Sequence, residues 1–456
     1  MRTPASGSFR RWLQPGMGVK RWLGLVFIGL LLLALGTAHV IRQVTPGLDP
    51  SSTVGIVVNI VTLQFLPFIL RGLAAGATGA VLVLFGMWRL IRAVTDPLRT
   101  AGTGVRQPPL VEVIYQKRFL ARGPKVVAIG GGTGLSTLLR GMKEHTSNLT
   151  AIVTVADDGG SSGSLRAELG IPAVGDIRSC IAALADAEPL MSELLGYRFP
   201  GGVSSDGGPV EIEPGSLGGH AVGNLLLAAM TALEGGDFEE GVRRMNRVLA
   251  VRGQVVPASP TPITLHAATR DGLMVTGQST IMRTVGIERV WITPRDVAGS
   301  DDALTAIADA EIIVLGPGSL YTSVLPVLLI PAIREAVASA SAIRVYACNV
   351  ATQTGETAGY DLADHVEALL AHTTPGLVDI VLANDQFDVP GQASRPPAVA
   401  LRWPPAVDPV PHLATDSVAS ELDPRHHDPA RLAAAILRAC EREASALRRE
   451  RVARTA

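Results

Sequence analysis

The apolar run 126–129 is typical of a buried strand, and four glycines and a threonine follow it over 130–134. Three consecutive glycines in 130–134 let the chain bend sharply and approach a ligand closely. Thr133 and Ser136 could cap the helix that this sequence begins. Because a helix N-terminus presents unpaired amides and a positive dipole end, the turn predicts a phosphate-binding loop. The residues assigned to it are Gly131, Gly132, Thr133, Gly134 and Ser136.

Two adjacent carboxylates, Asp157 and Asp158, follow the next apolar run and precede a segment of glycines and serines over 159–164. Carboxylate oxygens could hold a hydrated Mg²⁺ or bond sugar hydroxyls, and the amides of an open loop here would form a second anion nest. The ordinary alternative is that Asp158 caps a helix. The pair is predicted to bind the metal and, if the protein is a transferase, to be catalytic. Gly160, Ser161 and Ser162 are predicted to contact the ligand.

Further polar residues stand at later helix starts and strand ends. Asp176 could bind a ligand or cap its helix, while Arg178 could pair with a phosphate. His220 could act as acid, base or phosphate donor, although a single histidine is more often structural. A second glycine-rich turn over 316–319 suits a diphosphate or two separated anionic groups, which indicates a nucleotide conjugate. The other ligand-binding candidates are Asn224, Gly316, Gly318, Ser319, Asn349 and Asn384.

Alternating strand and helix patterns must position these residues. Strands are predicted over 126–129, 150–155, 288–292, 312–315, 344–347 and 379–382, and helices over 134–143, 176–186, 220–233 and 429–451. Such alternation favours a mainly parallel sheet covered on both faces, a three-layer α/β domain of Rossmann-like type. In such sheets ligands bind beyond the carboxyl ends of the strands, where the candidates lie.

The N-terminal part differs in charge and hydropathy from the rest of the 456 residues. Residues 1–125 carry 15 Lys or Arg against 3 acids, while the remainder carries 25 against 38. The apolar run 22–41 is long enough to span a bilayer. A cleaved signal peptide is the alternative. A second apolar region over 54–88 is interrupted by Pro67 and Arg71, which leaves open whether 54–71 crosses the bilayer or lies at its surface.

Basic residues flank both apolar regions, so an even number of spans puts both flanks in the cytoplasm. The sequence therefore predicts an α-helical transmembrane hairpin, with helices over 22–41 and 72–90, in an inner-membrane, multi-pass protein whose C-terminal domain is cytoplasmic. The predicted organisation is an anchor over 1–94, a linker over 95–121, the α/β domain over 122–445 and a charged tail over 446–456. The acidic domain argues against nucleic-acid binding. Three widely spaced cysteines fit neither a disulfide framework nor a zinc site.

The ordered motifs resemble those of the YvcK-type gluconeogenesis factors, which belong with the CofD-like proteins. The segments that carry the resemblance are 129–134, 155–163, 175–178, 219–224, 315–323, 353–357 and 427–429. The resemblance covers about 123–439 and not residues 1–115. It implies a dimeric domain that binds UDP-sugars such as UDP-N-acetylglucosamine and takes part in cell-shape and cell-wall control with cell-wall synthesis proteins. Three positions depart from the pattern: Ser179 and Val327 stand where Asn is expected, and Gln278 stands where Glu is expected.

Two functions of different class follow. One is a membrane-anchored binder of a UDP-sugar, without a settled reaction. The other, implied by the CofD resemblance, is a Mg²⁺-dependent 2-phospho-L-lactate transferase acting on a deazaflavin, in which the carboxylate pair orients the attacking hydroxyl. An NAD-dependent oxidoreductase is disfavoured because the first turn lacks the Gly-x-Gly-x-x-Gly spacing.

Overall fold

The computed structural model of the chain describes residues 24–33, 70, 76–89, 120–186, 188–200, 215–386 and 397–455. The chain divides into two compact units, Met1–Arg122 and Gly123–Ala456. The predicted linker up to residue 119 and the apolar segment 54–69 lie outside the described residues.

The first unit contains two apolar helices, α1 (Gly24–Leu33) and α2 (Gly76–Arg89). They approach closely where Gly29 faces Gly79, because a Cβ on Gly79 would lie 2.8 Å from the Gly29 carbonyl oxygen. Small residues allow such close packing of apolar helices. Among the residues that the structure describes, no single helix is both long and apolar enough to cross a bilayer. A bent pair of helices in the second unit, Leu320–Leu328 with Pro331–Ser339, has the length and the composition of a span. The spans over 22–41 and 72–90 stay a prediction.

The second unit is built on a seven-stranded sheet that is parallel throughout. Numbered in chain order, its strands are β1 (Val126–Gly130), β2 (Leu149–Val153), β3 (Gln254–Pro257), β7 (Ile312–Leu315), β8 (Ile343–Ala347), β9 (Ile380–Asn384) and β10 (His412–Asp416). They lie in the order β10-β9-β8-β7-β1-β2-β3. The central strands β1, β2 and β7 are buried along their whole length, which explains their unbroken apolar sequences. The predicted parallel α/β sheet is confirmed.

A separate three-stranded sheet corrects one prediction. Residues 288–292 belong to β6 (Ile287–Thr293), which pairs antiparallel with β4 (Thr264–Thr269), and β5 (Met274–Thr276) flanks β4 on the other side. The prediction placed 288–292 in the main sheet. β6 alternates buried and exposed residues, the pattern of a strand with one solvated face rather than of a buried parallel strand.

Helices connect and cover the main sheet. They are α3 (Gly132–Met142), α4 (Gly160–Leu169), α5 (Gly175–Leu184), α6 (Glu188–Gly196), α7 (Val222–Leu233), α8 (Phe238–Val248), α9 (Gln278–Ile281), α10 (Asp301–Ala308), α11 (Leu325–Leu328), α12 (Pro331–Ser339), α13 (Leu362–His372) and α14 (Pro429–Thr455). The predicted open loop over 159–164 is wrong, because α4 begins at Gly160. Gly160 enters the helix with φ +48° and Ser161 is buried within its first turn.

The order of the strands creates a crevice between β1 and β7. The chain leaves β1 through α3 toward β2, whereas it leaves β7 through α12 toward β8 on the other side. Because such crossovers are right-handed, α3 and α12 lie on opposite faces of the sheet, and the turns after β1 and β7 diverge. Ligands bind at such switch points.

The C-terminal helix α14 returns to pack on α3, the first helix of the domain. A side chain on Gly141 would collide with the backbone carbonyl of Pro429, so only glycine allows this approach. Leu432 and Ile436 are fully buried beneath it. The helix continues through most of the predicted charged tail.

Candidate functional site

A cleft of about 580 Å³ opens at the switch point between β1 and β7. Its walls come from the two glycine turns, from the segment after β8 and from the residues that precede α14. The residues predicted from the sequence that line it are Gly131, Gly132, Thr133, Gly134, Asp176, Gly318, Ser319 and Asn349. The volume falls within the range of pockets that hold a small-molecule ligand.

The two glycine turns lock together at the floor of the cleft. A Cβ on Gly134 would lie 2.5 Å from the Pro317 carbonyl oxygen, so the turns can meet only because residue 134 has no side chain. Gly132 holds φ +63°, a conformation that favours glycine. Asn349 fastens the second turn: its Oδ1 accepts from the Gly318 amide at 3.2 Å and its Nδ2 donates to the Gly318 carbonyl at 3.0 Å.

No residue of its own first turn caps the N-terminus of α3, because the N-cap position is Gly131. The expected capping by Thr133 and Ser136 is wrong. Ser136 Oγ donates to the Gly132 carbonyl at 3.0 Å, a bond within the helix, and Ser136 is buried away from the cleft. First-turn amides without caps are the donors that anion-binding turns use.

Asp176 lies directly against the first glycine turn. A Cβ on Gly131 would collide with its carboxylate, and the Gly132 amide donates to it. Burial, reinforced by the negative charge of Asp157, raises the pKa of Asp176 to about 7. Near neutral pH this carboxyl therefore exists in both protonation states, beside the N-terminus of α3.

The adjacent carboxylates Asp157 and Asp158 accept hydrogen bonds from different segments of the chain. Asp158 Oδ1 accepts from the Ser279 amide at 2.8 Å and from its hydroxyl at 2.7 Å, at the start of α9. Asp157 accepts from the Gly159 amide at 3.0 Å and lies 2.9 Å from where a Cβ on Gly175 would be. Asp158 thus holds the start of α9, as the capping alternative expected, while its charge still acts on Asp157. The metal pair stays a prediction.

Burial, reinforced by the negative charge of Asp158, raises the pKa of Asp157, and the charge of Asp157 in turn raises the pKa of Asp176. Two neighbouring carboxylates repel each other unless a proton or a cation lies between them. Within the described ranges no group of three or more His, Cys, Asp or Glu residues could hold a metal. The donor set therefore fits Mg²⁺ only if ligand phosphates complete its coordination, as is usual for this ion.

Several predicted residues form a buried network beyond the carboxylates rather than the wall of the cleft. Ser161 Oγ lies 3.0 Å from His220 Nδ1 and accepts from Asn224 Nδ2 at 3.0 Å. Arg178 packs on Gly223, where a Cβ would lie 2.6 Å from its Cγ. His220 and Asn224 are buried.

Four other predicted residues lie away from the cleft. Ser162 Oγ accepts from the amides of residues 174 and 175, at 3.1 and 3.2 Å, which is a structural role. Gly160 is exposed at the start of α4, and the Gly316 amide donates a hydrogen bond to the β1 backbone. Asn384 Oδ1 accepts from the amides of residues 418 and 419. It ends β9, which β8 and β7 separate from β1, so its strand end does not reach the switch point.

Some lining residues were not assigned from the sequence. Gln353 Nε2 donates to Ser319 Oγ at 2.6 Å, while its Oε1 is buried and has no hydrogen-bond partner in the described part of the chain. Arg425 lines the cleft and pairs with Asp423 at 2.7 Å. The sequence could have indicated both residues. Gln353 follows β8 at a strand end, and Arg425 stands two residues before the segment 427–429 that carries part of the family resemblance. His426 and His427 also line the cleft.

The three departures from the family pattern have different surroundings. Gln278 lines the cleft. Ser179 Oγ donates to the Gly175 carbonyl at 3.0 Å and accepts from Arg178 at 3.1 Å. Val327 is fully buried in the apolar core, so its replacement of a polar residue changes packing rather than the cleft.

Glu356 supports the cleft from behind. It is buried, and it accepts from the Tyr321 amide at 3.0 Å and from Thr322 Oγ1 at 3.1 Å, at the start of the helical turn Leu320–Val324. Burial raises its pKa to about 7. The second glycine turn therefore rests on a carboxyl group that titrates near neutral pH.

Comparisons with known proteins agree with this architecture. The family model described as CofD, 2-phospho-L-lactate transferase, matches residues 126–417. The gluconeogenesis factor of Bacillus subtilis is 48% identical over 277 residues, which cover 60% of this chain and 83% of that protein. A relative from Deinococcus radiodurans is 38% identical over 447 residues, covering 94% of this chain and 89% of its own length.

A solved structure extends the similarity to three dimensions. The crystal structure of a UPF0052 family member from Bacillus halodurans superposes with a TM-score of 0.60 at 42% identity, and covers 69% of this chain and 99% of that one. The matched family residues include β1, both glycine turns and all the strands of the main sheet. The chain therefore belongs to the CofD family, and it is similar to members of that family named gluconeogenesis factor.

Proposed function

We propose that this protein binds a UDP-sugar, such as UDP-N-acetylglucosamine, in the cleft between its two glycine turns and thereby regulates cell shape and cell-wall synthesis. The observation that carries the proposal is the meeting, in one cleft, of the glycine turn at the N-terminus of α3 and the second glycine turn. A diphosphate places two anionic groups a few ångströms apart, and two amide-rich turns suit such a pair.

The nucleobase has a candidate contact in Gln353. Its buried Oε1 accepts no hydrogen bond from any residue that the structure describes, and a buried acceptor of this kind requires a donor. The imide N–H of uracil is such a donor. Gln278 and Asn349 add amide groups to the same cleft.

Mg²⁺ is proposed as an accompanying ion. Asp157 and Asp176 would hold it together with the diphosphate, and the ion would neutralise the repulsion between carboxylates and phosphates. No three-residue protein site is needed for this arrangement, because Mg²⁺ commonly retains waters and substrate oxygens as ligands.

Attachment to the inner membrane completes the proposal. The apolar helices α1 and α2 pack through Gly29 and Gly79, and basic residues flank their region of the sequence. A multi-pass anchor with a cytoplasmic domain would concentrate the sensor beside membrane-bound cell-wall proteins. A homodimer, which the family resemblance implies, is part of the same proposal. Sedimentation of the full chain with membranes after carbonate washing tests the anchor, and release into the supernatant would refute it.

The alternative is a CofD-like transfer of 2-phospho-L-lactate to a deazaflavin. The closeness of Asp157 to Asp176 favours it, since two carboxylates with a metal and a phosphate ester are a common arrangement for such transfer. The two readings differ in their dependence on Mg²⁺ and in whether a product forms.

Calorimetric titration of the full chain in detergent tests the proposal. The ligands are UDP-N-acetylglucosamine, UDP-glucose and GDP, each with and without Mg²⁺. Saturable binding of both uridine sugars, with GDP at least tenfold weaker, is expected. Binding of GDP alone and only with Mg²⁺ would reject the sensor and favour the transferase, for which formation of a phospholactyl deazaflavin is the next assay.

A further inference from the structure

His427 lines the cleft with a ring that has one nitrogen bonded to the protein and one that is not. Its Nε2 lies 3.1 Å from the carbonyl oxygen of Cys348, the residue that directly follows β8. Because a carbonyl oxygen only accepts, Nε2 carries a proton and donates this bond. Within the described part of the chain, no group is hydrogen bonded to Nδ1. The second ring nitrogen is therefore left for a ligand.

Burial keeps the ring of His427 neutral. The residue is 7% exposed, and burial lowers its pKa to about 4. Near neutral pH the ring thus holds one proton, on Nε2, and a lone pair on Nδ1. A lone pair attracts a hydrogen-bond donor and repels the oxygen atoms of an ionised phosphate. Nδ1 therefore suits a donor group of the ligand and not its diphosphate.

The backbone around His427 is fixed by its neighbours. The segments 418–420 and 426–428 are joined by an antiparallel bridge between Ala419 and His427 and by two further backbone bonds, of 2.8 and 2.9 Å. Asn384 Oδ1 holds the first of these segments through two amides. Asn384 thus supports the cleft wall from a strand end that does not reach the cleft. A ring on such a backbone is preorganised for a ligand.

The other residues of the segment 427–429 have structural roles. Asp428 Oδ1 accepts from the Arg431 amide at 2.9 Å at the start of α14, and Pro429 makes the close approach to Gly141. Position 427 also has a structural task, the donation to the Cys348 carbonyl. A glutamine amide could perform that task, so the acceptor nitrogen is what a histidine adds.

We infer that His427 Nδ1 accepts a hydrogen bond from a hydroxyl group of the bound nucleotide sugar and thereby selects ligands that carry this hydroxyl. The inference rests on the proposed function and deepens it. Cys348, to which His427 is bonded, precedes Asn349, which fastens the second glycine turn. His427 is therefore held beside the proposed diphosphate site. In a nucleotide sugar the ribose and the glycosyl unit flank the diphosphate, and both carry hydroxyls.

Three ligands distinguish these two sources of the hydroxyl. UDP-glucose carries both sets of hydroxyls, its 2′,3′-dideoxyribose analogue lacks those of the ribose, and UDP lacks those of the glycosyl unit. Calorimetry on the full chain in detergent, with Mg²⁺, gives the dissociation constant of each. The ribose ratio compares the dideoxy analogue with UDP-glucose, and the glycosyl ratio compares UDP with UDP-glucose. For the intact protein, at least one ratio is expected to be about fivefold or larger.

Two variants separate the acceptor from the structural bond. His427→Gln keeps an amide that can donate to the Cys348 carbonyl and removes the acceptor, so it is expected to bring the affected ratio near one. His427→Asn is too short for that bond but places an amide oxygen near the position of Nδ1, so it is expected to keep part of the ratio. A purely structural role predicts the reverse order. Each variant is informative alone, so failure of one to fold leaves the other.

His412→Gln is the matched control. His412 is exposed and pairs with Glu443 outside the cleft, so both ratios are expected to stay as in the intact protein. Because each ratio is measured within one protein, a general loss of affinity does not imitate the effect.

A fall of the ribose ratio in His427→Gln assigns the hydroxyl to the ribose, and a fall of the glycosyl ratio assigns it to the glycosyl unit. Equal binding of all three ligands by the intact protein overturns the inference, and so do ratios that His427→Gln retains or that His427→Asn abolishes. The proposed function survives these results. Absence of UDP-glucose binding by the intact protein rejects the proposed function, and the role of His427 with it.

Discussion

The carboxylate of Asp176 occupies the space in which a side chain on Gly131 would have to begin. The same residue 131 is limited on its other side by Thr154, whose Cγ2 would lie 2.6 Å from the added Cβ. A titratable carboxyl and a strand-end residue thus hold the first glycine turn between them. The shape of this turn therefore requires a residue without a side chain at position 131.

Gly131→Ala is therefore expected to abolish nucleotide binding, because the methyl group must displace Asp176 or move the turn away from the ligand. Overpacking of this kind costs about 1–3 kcal/mol of folding stability. Gly196→Ala is the matched control, since nothing lies within 4 Å of a Cβ at that helix position. Thermal unfolding and calorimetry separate the two effects. Unchanged affinity in Gly131→Ala would place the ligand elsewhere.

Metal-free nucleotide binding should weaken as the pH rises through 7. The pKa of Asp176 is raised to about 7, so at pH 6 the carboxyl is mostly neutral and can donate to a phosphate, whereas at pH 8 it is ionised and repels one. An anionic ligand raises this pKa further, and binding takes up a proton. Affinity is then expected to fall by up to about tenfold per pH unit.

Excess Mg²⁺ should reverse that dependence, because the ion requires the ionised carboxylate. Asp176→Asn is expected to remove both dependences. Titrations at pH 6, 7 and 8 in two buffers of different ionisation enthalpy measure the proton uptake directly. Equal affinity at all three values without Mg²⁺ would show that Asp176 does not meet the phosphates.

The two adjacent aspartates should behave differently when each is neutralised. Asp157→Asn is expected to remove the Mg²⁺ effect on binding, because Asp157, whose charge acts on Asp176, is proposed to hold the ion with it. Asp158→Asn weakens the two bonds that Ser279 donates and should lower the unfolding free energy by roughly 1 kcal/mol, with the Mg²⁺ effect retained. Calorimetry with and without Mg²⁺ and chemical denaturation check this. Loss of the Mg²⁺ effect in Asp158→Asn as well would instead support the metal pair predicted from the sequence.

Arg425→Ala should weaken nucleotide binding about tenfold without lowering the melting temperature. Arg425 lines the cleft, and its partner Asp423 is only two residues away, so the pair ties together no distant parts of the fold. Charge-assisted bonds from arginine to phosphate account for a loss of this size. Arg431→Ala, which removes an exposed pair with Glu421 outside the cleft, is the control. Equal losses in both variants would indicate a general charge effect.

The sequence was sufficient for the parallel sheet because β1, β2 and β7 are short apolar runs followed by glycine or polar residues. It was sufficient for much of the cleft because strand ends on either side of the switch point must meet. It failed for Asn384, since strand order is not visible in a single sequence and β9 lies too far from β1. It also failed for the direction of Asp158, which depends on Ser279, 121 residues farther along the chain.

The segment that precedes α14 closes the cleft with Arg425, His426 and His427, and α14 itself covers the helix that carries the first glycine turn. These parts follow the first glycine turn and its helix by nearly 300 residues in the sequence, so the walls of the cleft come from distant parts of the chain. Without residues 425–455 the domain would expose the apolar face of α3 that α14 covers, and its pocket would be incomplete. The complete cleft can therefore form only after the segment before α14 has folded back beside the first glycine turn.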